Sequence, residues 1–119
     1  MEDINLEINK DKNFAVITFQ INSMSNAEQI SAMSAKILKF IEENRPNKMV
    51  IDFENVKFFS SQVLGMLLEI RAKLHRYNAE LVISAINPQL HRVFMITNLD
   101  KIFRFFPDRK NAEKGLIEK

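Results

Sequence analysis

The sequence contains no cysteine and no tryptophan, and only two of its 119 residues are glycine. Without cysteine the chain has no disulfide framework, no thiol nucleophile and no thiolate ligands for zinc. This fits a reducing cytoplasm. No apolar run approaches the roughly 18 residues that a membrane-spanning helix needs, and the acidic, alternating first residues are not typical of a signal peptide. We therefore expect a cytoplasmic protein that does not insert into a membrane.

The chain also carries little net charge. The formal net charge is +2, and the basic residues are spread along the chain, which disfavours a nucleic-acid partner. The sequence has no glycine-rich phosphate loop and no paired-histidine metal spacing, so no cofactor or metal is expected. A chain of this length buries enough surface to fold without a metal or a disulfide.

The apolar pattern predicts five strands. Residues 4–8 alternate between apolar and polar, and residues 14–21 form a second, nearly continuous apolar run, so the two are expected to pair as a hairpin. The remaining strands are predicted at residues 49–53, 81–86 and 102–106. The last of these explains the basic and aromatic side chains of residues 101–106 without nucleic-acid stacking, and it places Ile102 in the core.

Four helices are predicted between and after these strands. The first begins near Asn26, behind a capping box of Ser25 and Glu28, and ends before Pro46. The second runs over residues 61–76, the third begins at Asn87-Pro88, and a short fourth follows Pro107-Asp108. The expected inner face of the second helix comprises Val63, Leu64, Leu67, Leu68, Ile70 and Leu74. The pattern predicts an α/β fold, with a mixed sheet flanked by about four helices in one domain, residues 1–119.

Functional groups of an open α/β sheet gather where parallel strands end and helices begin. One such connection, after the apolar strand Val50-Ile51-Asp52-Phe53, reads Phe58-Phe59-Ser60-Ser61-Gln62-Val63-Leu64-Gly65. It resembles the core motif of the anti-sigma-factor antagonist (STAS) family, in which an apolar strand leads to Asp-Ser-Ser-Gly-Leu-Gly. Residues 79–84, Asn87-Pro88 and Val93-Phe94 are similar to the family's next strand and helix, and residues 96–103 resemble its closing segment. The resemblance covers about residues 47 to 117.

The resemblance implies a bacterial protein-binding switch or adaptor in transcription regulation, not an enzyme. Its implied partner is an anti-sigma factor that is also a serine kinase of the histidine-kinase-like ATPase fold. Phosphorylation of a serine at the start of the second helix would release the complex, and a serine phosphatase would reset it. Other family members act in scaffolds without that cycle or are attached to transporters.

The sequence departs from the motif at the acceptor. When the match is anchored on Leu64-Gly65, the family's first serine falls on Ser61, and its usual phosphoacceptor falls on Gln62, which cannot be phosphorylated. Shifting the match by one position aligns the serine pair but breaks the Leu-Gly register. The candidate acceptors are therefore Ser61 and, after it, Ser60. We expect Ser60 to cap the second helix, because serine is a favoured N-cap residue.

A docking face is predicted on the same helix. Glycine inside a helix costs up to about 1 kcal/mol relative to alanine, and Gly65 shares the outer face of Ser61 and Gln62. Met66 brings a flexible apolar side chain of a type common at binding surfaces, and Glu69 follows. We expect Gln62, Gly65, Met66 and Glu69 to bind a partner, with Gly65 and Met66 exposed. The alternative is that Gly65 packs under a neighbouring loop.

Other interpretations stay open at this point. The chain is either a phosphorylated switch or a constitutive subunit of a larger scaffold or an ABC-transporter complex. A third hypothesis is a small serine hydrolase using Ser61 and His91, since His75 lies about 20 Å along the helix from the serines. Asp52 is expected either near Ser61, where it would bias the chemistry of that serine, or as the cap of a turn.

Overall fold

The computed structural model describes residues 5–11 and 14–117. Five strands form one sheet in the order β1-β2-β4-β6-β7, and β3 pairs with β5 in a separate two-stranded sheet. Their bounds are β1 (Leu6–Asp11), β2 (Phe14–Phe19), β3 (Ser23–Met24), β4 (Lys48–Asp52), β5 (Phe58–Phe59), β6 (Glu80–Ser84) and β7 (Arg104–Phe106). β1 and β2 are antiparallel, and the other neighbours are parallel.

Helices follow the parallel strands. They are α1 (Ala27–Asn44), α2 (Ser61–His75), α3 (Pro88–Ile96) and α4 (Arg109–Ile117), with a 3-10 turn at Leu99–Lys101 before β7. The predicted α/β fold with a five-stranded mixed sheet and four helices is confirmed. The short β3–β5 pair was not predicted, because two-residue strands leave no periodic signal in a sequence.

Three of the helices begin at capping side chains. Asn26, Asn87 and Asp108 each accept a hydrogen bond from the backbone N–H three residues further on, at 2.8 to 2.9 Å. The predicted caps of α3 and α4 are confirmed. The expectation for α1 is wrong by one residue, because the cap is Asn26 and not Ser25; asparagine caps as well as serine does.

The core lies mainly on one face of the sheet. Side chains alternate between the faces of a strand, so Ile17, Ile51 and Ile83 point toward α1, α2 and α3 and join the main buried cluster. Val16, Val50 and Val82 point the other way and meet α4 through Ala112 and Leu116. The starts of α1 and α2 consequently lie on the same side of the sheet.

Two predicted core positions are wrong. Leu68 is 38% exposed, because it lies at the edge of the buried stripe of α2, one turn after Leu64. Ile102 is 40% exposed, because β7 begins only at Arg104 and the alternation of a strand does not extend back to Ile102. The predicted buried stripe of α2 is therefore too wide, and the predicted strand at residues 102–106 begins too early.

Candidate functional site

The β3–β5 pair brings the beginnings of two helices together. β3 directly precedes α1 and β5 directly precedes α2, and the two strands pair in parallel with Ser23 opposite Phe58. The Ser60 N–H continues this pairing by donating to the Met24 carbonyl at 3.0 Å. The amino ends of α1 and α2 therefore lie side by side, and α1 takes part in a site that the sequence assigned to α2 alone.

Ser60 and Ser61 differ in their surroundings. Ser60 occupies the N-cap position with an extended backbone, but its side chain makes no capping hydrogen bond, so the expected capping role is wrong. Its backbone is held instead, by the bond to Met24 and by a 3.0 Å bond from the Val63 N–H to the Ser60 carbonyl. Ser61 is the first residue of α2 and is exposed.

This arrangement predicts a small effect of removing the Ser60 hydroxyl. We expect Ser60→Ala to change the free energy of unfolding by less than about 0.5 kcal/mol, measured by urea denaturation. The matched control is Asn87→Ala, which removes a cap that does make its bond and should cost about 1 kcal/mol. An equal loss in the two variants would show that Ser60 caps α2 in solution.

Gln62 connects the two helices. Its Nε2 donates to the Ala27 carbonyl and to Ser31 Oγ of α1, each at 3.3 Å. Both contacts lie at the exposed end of the helix pair. The residue at the family's usual acceptor position thus ties α2 to α1.

A groove of about 530 Å³ runs along the seam between α1 and α2. Its lining residues are Ile30, Ser31, Ser34 and Ala35 from α1, and Gln62, Gly65, Met66 and Glu69 from α2. Gly65 is exposed, and no atom outside its immediate helical surroundings lies within 4 Å of the position that a Cβ would take. The alternative of a loop packed over Gly65 is therefore wrong.

Met66 is not an outer residue. Only 4% of it is exposed, so the expectation that it lies on the outer surface of α2 is wrong. The helical period explains this, because Met66 is three residues after Val63 and four before Ile70, both of which are fully buried. Met66 lines the groove from within the buried stripe.

Charge is distributed unevenly along the seam. Glu69 is exposed, and within residues 5–11 and 14–117 no basic side chain forms an ion pair with it. One turn further on, Lys73 Nζ crosses to Glu42 Oε1 of α1 at 2.7 Å. The hydrogen bond and the charge of Lys73 hold the pKa of the Glu42 carboxyl below its ordinary value. Among the described residues, the groove therefore ends at the unpaired carboxylate of Glu69, and the next carboxylate along the seam, that of Glu42, is paired with Lys73.

Asp52 and His91 are occupied elsewhere. Asp52 is fully buried and accepts hydrogen bonds from Ser84 Oγ at 2.9 Å and Arg109 Nη2 at 3.2 Å. It neither contacts Ser61 nor caps a turn, so both expectations for it are wrong. The His91 ring packs on Phe105 with 4.6 Å between ring centroids, and in the described part of the chain no hydrogen bond joins His91 to Ser61.

Comparison with known proteins identifies the family. A family model described as the STAS domain matches residues 5–112. The chain belongs to the STAS domain family. No helix within the described ranges combines the length and the apolar character that crossing a membrane requires.

The relatives of this STAS domain include both full-length and partial matches. It is 20% identical over 109 residues to the anti-sigma F factor antagonist of Paenibacillus polymyxa, a match covering 92% of this chain and 93% of the relative. It is 29% identical over 59 residues to a STAS-domain containing protein of Pseudomonas aeruginosa, and this match covers 50% of the chain and 58% of that relative.

Solved structures show the same fold. The Bacillus cell fate determinant SpoIIAA in the phosphorylated form superposes with a TM-score of 0.73 at 18% identity, covering 93% of this chain and 98% of that one. The unphosphorylated form of SpoIIAA, an anti-sigma factor antagonist, gives 0.71 at 17% identity, covering 95% and 94%. Identities this low establish the fold alone.

The structure of this STAS domain brings together most of the residues predicted for its site. Ser61, Gln62, Gly65 and Glu69 lie on one exposed face of α2, with Met66 beneath them. The sequence did not indicate the opposite wall, formed by Ile30, Ser31, Ser34 and Ala35. The available signal was the run of small residues at helical spacing in α1, which the apolar stripe of that helix obscured.

Proposed function

We propose that this STAS domain acts as a protein-binding switch or adaptor of the anti-sigma-factor antagonist type, and not as an enzyme. The observation that carries the proposal is the open groove beside Gly65. A helix that carries glycine in its second turn, with free space above it, permits another backbone to approach closely. Ser61, Gln62 and Glu69 surround that point and are exposed.

The proposed partner is a cytoplasmic anti-sigma factor that is also a serine kinase of the histidine-kinase-like ATPase fold. Support comes from the relatives, since both the Paenibacillus polymyxa protein and SpoIIAA are described as anti-sigma factor antagonists. Binding of the partner would release a sigma factor and so regulate transcription. A serine phosphatase would complete the cycle.

Ser61 is the proposed phosphoacceptor. SpoIIAA has been solved in phosphorylated and unphosphorylated forms, and in this chain Ser61 is the exposed hydroxyl at the amino end of α2. The first turn of α2 contains no acidic residue, and the amino end of a helix accommodates an anion. A phosphate carrying about −1.5 to −2 charge would therefore act on the bound partner and leave the fold intact.

If Ser61 is the switch, a negative charge there should weaken partner binding without lowering the stability of the fold. We expect Ser61→Asp to leave the melting temperature nearly unchanged and to weaken partner affinity by about tenfold or more, because a charge within a close-packed interface must be desolvated. Incubation with the cognate kinase and ATP, read by intact mass and fragment mapping, should place one phosphate on Ser61. Ser61→Ala should abolish it and Ser60→Ala should not. A phosphate on Ser60, or none, would contradict the assignment.

A second candidate function is a constitutive, unphosphorylated subunit of a larger scaffold or an ABC-transporter complex. The observation that favours it is Gln62, which stands at the family's usual acceptor position and is held by α1. For such a subunit, ATP and the kinase would change neither the mass nor the affinity for the neighbouring subunit. The experiment on Ser61 therefore separates the two candidates.

A further inference from the structure

The chemistry of the α1–α2 groove changes along its length. Its floor is apolar, since Ile30 and Met66 contribute side chains that are 1% and 4% exposed. Its rims carry the hydroxyls of Ser31 and Ser34. The exposed carboxylate of Glu69 lies on the same side of α2, one helical turn after Gly65.

The Glu69 carboxylate can form an ion pair with a basic group of another molecule. The nearest basic residue along the facing side of α2 is Lys73, which is committed to Glu42 at 2.7 Å. None of the described lysines or arginines lines the groove, which makes it unsuited to an anion. A purely apolar occupant would also fit poorly, because it would remove water from two hydroxyls and a carboxylate without replacing their hydrogen bonds.

A basic side chain satisfies both parts of the groove. Arginine and lysine bury an aliphatic stem along apolar surface while the charged head stays at the polar end. Arginine fits better, because its planar guanidinium forms two parallel hydrogen bonds to a carboxylate and has further N–H donors for neighbouring oxygens. Ser34 Oγ on the opposite rim is such an acceptor.

We propose that the α1–α2 groove receives an arginine side chain from the docking segment of the partner protein. The stem lies over Ile30 and Met66, beside the bare backbone of Gly65, and the guanidinium pairs with Glu69. This inference rests on the proposed function in one respect, namely that a partner docks on α2. It adds the chemistry of the residue that the partner must present.

The test uses a ligand that needs no identified partner. We titrate the isotopically labelled protein with N-acetyl-L-arginine amide and follow backbone amide shifts by NMR, with N-acetyl-L-citrulline amide as the neutral ligand of the same shape. The arginine compound should give saturable shifts at groove residues, including Gly65 and Glu69, with a dissociation constant of about 1 mM, as its size allows. The citrulline compound should bind at least about fivefold more weakly, because it lacks the charge.

Two variants locate the charge. Glu69→Gln should weaken arginine binding at least about fivefold, whereas Glu54→Gln, an exposed carboxylate outside the groove, should leave it unchanged. Both substitutions are on the surface, and an unaltered spectrum elsewhere verifies folding. Equal shifts with citrulline, no saturable shift in the groove, or no effect of Glu69→Gln would overturn the inference.

The outcome is distinguishable from a failure of the proposed function. If arginine binds as expected but no anti-sigma factor does, the groove assignment stands and the partner class is wrong. If an anti-sigma factor binds on α2 while the arginine compound does not bind in the groove, the proposed function stands and this inference is overturned.

Discussion

Replacing Arg109 with methionine is expected to lower the free energy of unfolding by about 3 kcal/mol. Arg109 Nη2 donates to Asp52 Oδ2 at 3.2 Å and to Thr18 Oγ1 at 2.9 Å. Asp52 is fully buried, so without the guanidinium its carboxylate would keep, among the described residues, the 2.9 Å bond from Ser84 Oγ alone. Leaving a buried charge unpaired costs more than the pair itself contributes. This loss of unfolding free energy is at the low end for a broken buried ion pair, because the Arg109 side chain is partly exposed.

The same residue holds α4 against the sheet. Arg109 begins that helix, and at the other end Lys48 Nζ donates to the Leu116 carbonyl at 2.8 Å. Between these two polar contacts Ala112 and Leu116 pack on the valines of the sheet. Loss of the Arg109 side chain should therefore weaken the packing of α4 on the sheet and also leave the Asp52 carboxylate unpaired.

Urea denaturation measures this effect. Arg92→Met, at an exposed position of α3, is the matched control and should change the free energy of unfolding by less than about 0.5 kcal/mol. Adding Asp52→Asn to the Arg109→Met variant should recover part of the loss, because no buried charge then remains. A loss below about 1 kcal/mol, or no recovery in the double variant, would contradict the role assigned to this network.

Replacing Gly65 with arginine is expected to weaken partner binding by about 100-fold while the protein stays folded. The Cβ position at Gly65 has free space around it, and arginine is a better helix former than glycine by most of 1 kcal/mol. The free energy of unfolding should therefore stay the same or rise. The new side chain would lie one turn before Glu69 and fill the α1–α2 groove.

Binding to the anti-sigma factor, measured by calorimetry, tests this prediction. Gln89→Arg introduces the same side chain at an exposed position of α3 that does not line the groove, and it should reduce affinity much less. Denaturation of both variants verifies that the fold is retained. Normal affinity of the Gly65→Arg protein would show that the partner docks elsewhere.

Local features predicted a large part of the fold. Hydrophobic periods are set by neighbouring residues, so the order of the five main-sheet strands and the four helices, the bounds of α2 to within one residue and the caps at Asn87 and Asp108 were predicted correctly. The two wrong core positions are Leu68, at the edge of the buried stripe of α2, and Ile102, just before β7, where burial depends on what packs above them. Ser60 occupies the predicted cap position, but its side chain makes no capping bond.

Helical spacing alone establishes which residues of α2 share a face. A spacing of three or four residues places Ser61, Gln62, Gly65 and Glu69 together on any α-helix, whatever surrounds it. The family motif at the start of that helix is likewise a property of the linear chain. These features were sufficient to predict a docking face.

What surrounds that face, and what stabilises the molecule, depends on how distant elements pack. Pairing of β3 with β5 places α1 beside α2, so that Ser31, 31 positions away in the chain, meets Gln62. Packing of α4 on the sheet brings Arg109 to Asp52 across 57 positions. Both contacts join residues far apart in the sequence. Such contacts depend on how the elements pack, and they leave no periodic pattern of apolar residues in the sequence.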